Sequence, residues 1–293
     1  MNYLRLARDG LWVAGIVFAV AFWLFYTVNG GRPDDVSWYW RSDPHNLYPH
    51  PELAENNGYN YSPAFEFLVG WGRLLPFEVF AAIWRAILLA ALVYLAGPFT
   101  LFVLLTVPVG SEINAGNIQI LLALAIVAGF RHPAAWAFVL LTKVSPGVGL
   151  LWFVIRRQWR QLAIALGATA AIAALSFLFW ADQWPGYLAL VTSGAAPAVE
   201  PYYLSLWQRL PFAIALVVVG SFLGWRWTVP AAATLALPVF YPISLSMLVG
   251  CLPFVREAIG RWMASRGWSL ERTSRTPKTP TPGEAGPAGQ AVA

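Results

Sequence analysis

Asp35 and Tyr39 stand four residues apart in "GGRPDDVSWYW" (30–40), directly after the first long apolar run of the chain. On a helix that spacing puts both side chains on one face. Trp38 and Trp40 then flank that face at a membrane interface, where tryptophan is favoured. An aspartate in a partly hydrated site of low dielectric holds its proton more tightly than in water. That suits a general base taking the proton of a hydroxyl group. Capping is the alternative: Asp34 or Asp35 can accept backbone N–H bonds at the start of a loop helix.

Three further stretches carry chemistry. In "NNGYNYSP" (56–63), Asn60 and Tyr61 join hydrogen-bonding groups to an apolar ring face, as a sugar-binding rim requires, although a solvated loop would use the same residues. In "GSEINAGNIQ" (110–119), Glu112, Asn114, Asn117 and Gln119 fall where an apolar run begins. Polar groups at membrane depth are costly and face a partner or a watery cavity. In "LLTKVSPGVGLLW" (140–152), Lys143 precedes a Ser145-Pro146-Gly147 break. A cation beside a broken helix can hold an anion, and the other reading is a lysine reaching out to the interface. Arg85, in "FEVFAAIWRAILLAALVYL" (77–95), is the second candidate cation for a phosphate.

These residues need a membrane to position them. The chain has 293 residues, of which 58% are hydrophobic and 11% charged, against about 25% charged in soluble domains. With several apolar runs near the ~20 residues of a full span, this reads as an all-α polytopic membrane protein. The single Cys251 excludes an internal disulfide and a cysteine-based metal cluster, and His45, His50 and His132 are too dispersed for a ligand set. The +5 net charge sits beside apolar runs, in Arg156, Arg157 and Arg160 and in the series from Arg256 to Lys278, so it reads as cytoplasmic anchoring rather than nucleic-acid binding. The loop from about 29 to 61 is acidic, and that from about 181 to 206 carries Asp182 and Glu200 with no Lys or Arg. Both are expected together on the extracytoplasmic side, with both termini cytoplasmic. About eight transmembrane or half-spanning helices are expected, "YSPAFEFLVGWGRLL" (61–75) lying at the interface as an amphipathic helix. Residues 1–266 form the membrane domain, and the Pro/Gly/Thr-rich tail 267–293 is a disordered cytoplasmic segment.

The motifs in their order resemble glycosyltransferase family 87 over roughly residues 10 to 260: the Asp35-to-Tyr39 spacing, Tyr59-Asn60-Tyr61-Ser62-Pro63 leading to Leu75-Pro76, "GNIQILLALAIVAG", "LLTKVSPGVGLLWFVIRRQWR" and "WADQWPGYL". Two features depart from the family: the chain is short for it, and "LALPVFYPISLSMLVG" (235–250) has no histidine near Pro242-Ile243-Ser244.

The resemblance implies a GT-C-like bundle whose active site faces away from the cytoplasm. It further implies an α-mannosyltransferase that takes its sugar from a polyprenyl-phosphate donor and serves an envelope lipid or glycan acceptor. By the aspartate-to-tyrosine spacing the catalytic residue maps onto Asp35. Asp34, Tyr39, Asn60, Tyr61, Asn117 and Gln119 are then expected at the acceptor or sugar, and Lys143 and Arg85 at the donor phosphate. Gly116-Asn117-Ile118-Gln119 is an altered form of the family's Asn-Gly-Gln. No cofactor and no metal site are implied. A transporter or lipid-binding membrane subunit, or an inactive scaffold of envelope assembly, are the alternatives. Only an enzyme needs Asp35 and Lys143 at one cavity.

Overall fold

A computed structural model describes residues 3–29, 34–49, 58–192 and 204–266. The tail 267–293, the acidic residues Glu52 and Glu55, and Glu200 lie outside the described residues, as does the side chain of Asp34. The described residues are mostly helical, with no strand among them. Among the described residues five helices are long and apolar enough to cross a membrane: Arg5–Asn29, Phe77–Leu104, Trp159–Thr192, Leu206–Leu223 and Pro242–Ser265. Two shorter apolar helices, Pro133–Thr142 and Ser145–Ile155, and a pair bent by 104° complete the bundle.

The elements that matter for the site are α1 (Tyr3–Asn29), α2 (Asp34–Arg41), α3 (Phe77–Ala96), α4 (Val107–Ala115), α5 (Gln119–Gly129), α6 (Trp136–Thr142) and α7 (Trp159–Trp180). Only 11% of the apolar window of α1 is buried within the protein, so that helix is turned to lipid, whereas the window that includes α3 is 50% buried and central. α1 and α3 run antiparallel. Trp23 Nε1 donates to Ala82 O at 2.9 Å near one end, and Trp12 packs over Gly97 near the other. A core of Trp84, Leu88, Leu92, Ile113, Ile120, Ile126 and Trp136 fills the space between α3, α4, α5 and α6.

The two ends of the bundle differ in charge. Where α1 begins, Arg256 packs on Gly97 and donates to Tyr94 O at 3.4 Å. Arg226 stacks over Phe130, whose ring meets Phe254, and Arg156 donates to Ser221 O at 2.9 Å. Where α1 ends, the described part of the first loop meets the turn after α7. Gln183 ties the two: its Oε1 accepts the Leu47 N–H at 2.9 Å, and its Nε2 donates to His45 O at 2.9 Å and to Asp182 at 2.8 Å. The described parts of the two loops thus lie together, as their composition predicts.

The interfacial stretch differs from expectation. Residues 61–75 form three short pieces, Pro63–Phe65, Glu66–Val69 and Gly70–Leu74, rather than one amphipathic helix. Gly70 and Gly72 lie in this stretch, and Gly72 leaves room for the Phe80 ring, which a Cβ there would strike. Glu66, expected on a polar face, is buried, and the exposed Arg73 reaches it in a 2.7 Å ion pair and also bonds Ser42 O (2.9 Å) and Oγ (3.0 Å). That fastens the end of α2 to the stretch, while Phe67, Leu68, Trp71 and Leu74 stay exposed.

At the far side α8 (Leu206–Leu223) starts with a capping box between Ser205 and Gln208 and packs on α9 (Thr228–Leu235). Arg209 is buried. It donates to the carbonyls of Leu204, Leu235 and Leu237 and lies 5.0 Å over the Phe240 ring. It thus satisfies the open carbonyl end of α9, as cations at helix C-termini do.

Candidate active site

The site forms where four helix interruptions meet, because only at such breaks does a membrane bundle present polar backbone and side chains to one another. α2 contributes the first. Its Tyr39 is 1% exposed, with edge contacts to Tyr61, Phe65 and Trp84 at ring-centre distances of 5.6, 5.4 and 5.3 Å. The Tyr39 and Tyr61 hydroxyls share a 3.0 Å hydrogen bond. Asp35, one turn earlier on the same face, is half-buried. Trp40 Nε1 donates to Leu75 O at 2.9 Å, fixing the helix against the next segment.

The second interruption is Tyr61-Ser62. Ser62 donates twice to Leu141 O, from N at 3.3 Å and from Oγ at 2.5 Å, and the Tyr48 hydroxyl donates to Tyr61 O. Asn60 is exposed beside this pair of tyrosines. The third is the α4–α5 bend at Gly116, whose φ of 73° is left-handed and whose missing side chain makes room for Val36 of α2. Trp84 Nε1 donates to Gly116 O at 2.7 Å, so α3 holds the bend from behind. The fourth is Lys143, extended (φ −140°, ψ 111°) at the end of α6, two residues past the Leu141 carbonyl that Ser62 binds.

Glu112 links these pieces. It is fully buried on α4, and its Oε1 accepts the N–H groups of Gln119 (2.6 Å) and Ile120 (3.4 Å) across the bend. With its amide turned to place nitrogen toward acceptors, Gln119 donates to both Glu112 oxygens at 3.1 Å and to Asn117 Oδ1 at 2.5 Å. Asn117 Oδ1 also takes the Ile118 N–H at 2.7 Å. Asn117 and Gln119 therefore hold the bend, and Gln119 is buried. Glu112 interacts electrostatically with Lys143 and with Asp35, and Lys143 with both carboxylates. Burial, the neighbouring tyrosine and Asp35 hold the Tyr39 hydroxyl far above its ordinary titration range, and burial and Asp35 do the same for Tyr61. Both stay neutral, able to donate as well as accept.

Of the residues expected at the site, the structure brings together Asp35, Tyr39, Tyr61, Asn117, Gln119 and Lys143, with Asn60 at the rim. Asp34 opens α2, its side chain outside the described set. Arg85 is placed differently. It is 3% exposed, donates to Tyr26 O at 2.8 Å and lies 5.9 Å over the Tyr26 ring. Tyr26 is its electrostatic neighbour rather than the Asp35–Lys143 group, so it closes the carbonyl end of α1. The role of Glu112 across the bend, and those of Tyr48 and Gln183 as ties, do not follow from spacing. The one signal for Glu112 is that a carboxylate so deep in apolar sequence must have partners.

The described residues thus form a multi-pass helical bundle with a carboxylate, hydroxyls and an ammonium toward one end. The model of glycosyltransferase family 87 matches residues 59–248, and the chain belongs to that family: it is a membrane glycosyltransferase. The match covers the Tyr61-Ser62 segment, the bend and Lys143, and begins after α2. No curated protein and no solved structure matches the chain.

Proposed function

We propose that this glycosyltransferase moves a hexose, mannose by resemblance, from a polyprenyl-phosphate sugar to a hydroxyl of an envelope lipid or glycan, with inversion. The observation that carries this reading is that the Tyr39–Tyr61 hydroxyl bond (3.0 Å) and the Ser62–Leu141 tie (2.5 Å) join the helix of Asp35 to the break that ends in Lys143, interruptions far apart in sequence. Asp35 takes the proton of the acceptor hydroxyl, whose oxygen forms the new bond to the anomeric carbon. The bond from that carbon to the phosphate oxygen breaks, and the lipid phosphate leaves with the electron pair. Lys143 stabilises the charge gained by the phosphate, and charge-assisted contacts of this kind are the strong ones. Tyr39, Tyr61 and Asn60 are assigned to the acceptor or sugar hydroxyls, while Arg85 is left to α1. The lipid tails orient the head groups by lying among the helices.

The arrangement of charge supports a plasma-membrane protein with the Arg156, Arg226 and Arg256 end cytoplasmic and the Asp35 end outside. On this reading residues 1–266 are the membrane enzyme and 267–293 a cytoplasmic tail. The test is sugar transfer from radiolabelled polyprenyl-phosphate-mannose to endogenous lipids in membranes carrying wild type, Asp35→Asn or Asp34→Asn. Wild-type transfer is expected to fall at least ~100-fold in Asp35→Asn, the scale of general-base catalysis, and to survive in Asp34→Asn. Undiminished transfer by Asp35→Asn would refute the base.

A further inference from the structure

The short helix that carries Asp35 is tied to the rest of the protein at its far end. Arg73 Nη1 lies 2.7 Å from Glu66 Oε2, 2.9 Å from Ser42 O and 3.0 Å from Ser42 Oγ, so one nitrogen joins a carboxylate to the residue that follows α2. Ser42 Oγ in turn donates to Tyr39 O at 2.9 Å. The Glu66 side chain is fully buried, and Gly70 leaves room for the pair. A Cβ there would stand 3.0 Å from Arg73 Nη2 and 3.2 Å from Glu66 Oε2.

These contacts close a ring. From Glu66 it runs through Arg73, Ser42 and Tyr39 to the 3.0 Å bond between the Tyr39 and Tyr61 hydroxyls, and it returns along the chain through Ser62 and Phe65 to Glu66. Ser62 also binds Leu141 O, two residues before Lys143, so the ring holds the break that ends in Lys143 as well. Asp35 precedes Ser42 by seven residues, or ~10 Å along a helix. We infer that Arg73 is a positioning residue for the transfer reaction: anchored on Glu66, it sets where the helix of Asp35 stands relative to Tyr61 and Lys143. The inference rests on the transfer reading above for its purpose, though not for its geometry.

A purely structural role has to be separated from this one. Arg73 also neutralises Glu66, and a buried carboxylate stranded without its cation destabilises a fold wherever it lies. α2 has further anchors: Val36 packs at Gly116, and Trp40 Nε1 donates to Leu75 O at 2.9 Å. Those contacts keep α2 docked when Arg73 is changed, so what is lost is its placement. Glu66→Gln/Arg73→Gln separates the two roles, because it removes the cation and the stranded charge together. Arg73→Lys is the conservative complement, since an ammonium carries three hydrogens for the same three acceptors.

The full chain in lipid nanodiscs is given polyprenyl-phosphate-mannose as donor and extracted endogenous lipids as acceptor. Per mole of folded enzyme, kcat of Glu66→Gln/Arg73→Gln is expected to fall roughly 10- to 100-fold, the scale of a ~1 Å misplacement, while KM for the donor stays near wild type. Arg73→Lys should keep most of the wild-type kcat, as should Glu66→Gln, in which the bonds from Arg73 to Ser42 remain. Hydrogen exchange supplies a readout that needs no substrate. The amides of residues 38–42 should lose protection in the double variant and keep it in Arg73→Lys. Ser42→Ala leaves the ion pair intact, so it should loosen the same amides and lower kcat by a smaller factor.

Wild-type kcat or unchanged exchange of α2 in Glu66→Gln/Arg73→Gln overturns the inference and leaves Arg73 a partner of Glu66 alone. Lost protection of α2 in a protein whose wild type transfers no polyprenyl-phosphate sugar upholds the hold on α2 and overturns the transfer reading instead.

Discussion

At the scale of single residues, the first loop concentrates hydroxyl groups that burial has taken out of water. Tyr39, Tyr48, Tyr59 and Tyr61 are all held above the ordinary tyrosine range, burial being the largest cause in each case. In the unfolded chain such groups ionise near pH ~10. A folded-state value raised above that means their contribution to stability is complete below pH ~10 and declines as pH rises beyond it. Thermal unfolding in detergent is therefore expected to keep a flat midpoint up to about pH 9 and to fall steeply above 10. The double change Tyr39→Phe/Tyr61→Phe removes two of the four groups and should make the alkaline decline shallower. At neutral pH it should cost roughly 1 kcal/mol, the size of one lost hydrogen bond. A decline of unchanged steepness would show that the alkaline loss arises elsewhere.

At the scale of elements, the α4–α5 bend organises the site without needing to touch a substrate. Gly116 is left-handed, and Val36 occupies the volume a side chain would take. Gly116→Ala is expected to cost about 2–4 kcal/mol, combining the backbone penalty with overpacking. Adding Val36→Ala should return the packing part and leave the backbone part, which thermal unfolding of the single and double variants would measure. An α4–α5 pair that tolerates Gly116→Ala without loss of stability would contradict this geometry. The bend also explains what could be read in advance. Asp35 with Tyr39, and Lys143 beside its Pro-Gly break, stand out in the sequence because each depends on one local pattern. Glu112 was legible only as a buried carboxylate, since its bonds to Gln119 and Ile120 cross a 104° turn that no single helical period describes. For Arg85 the sequence gives no partner, because the carbonyl it binds, Tyr26 O near the end of α1, comes from a distant helix. Residues 61–75 carry an amphipathic pattern, yet Glu66 is buried and Arg73 ties it to Ser42, a contact with a distant segment.

At the scale of the whole molecule, charge is sorted end to end. Arg156, Arg226 and Arg256 gather where α1 starts, and Asp35 and Asp182 lie where it finishes, a helix of 27 residues away, or about 40 Å. If the basic end is cytoplasmic, single cysteines placed in a Cys251→Ser background at His45 or Asp182 should react with a membrane-impermeant maleimide on intact cells. One placed at Gln158 should react only after lysis. The reverse pattern would invert the assignment of sides. The acidic sorting of the two loops was visible in composition alone, because it needs only the sign of each residue and its order along the chain.

The ties of the first loop bear on how the chain is made. Leu47 finds its partner in Gln183, 136 residues later, and Ser62 finds its partner in Leu141, 79 residues later. During synthesis the first loop therefore emerges long before anything it binds to, and its closure entropy is met only when late helices have entered the membrane. Residues 42–49 and 58–62 spend that interval with their backbone groups bonded to water. Assembly of this end of the bundle is thus a late event in biogenesis, and it depends on segments made well after the first loop.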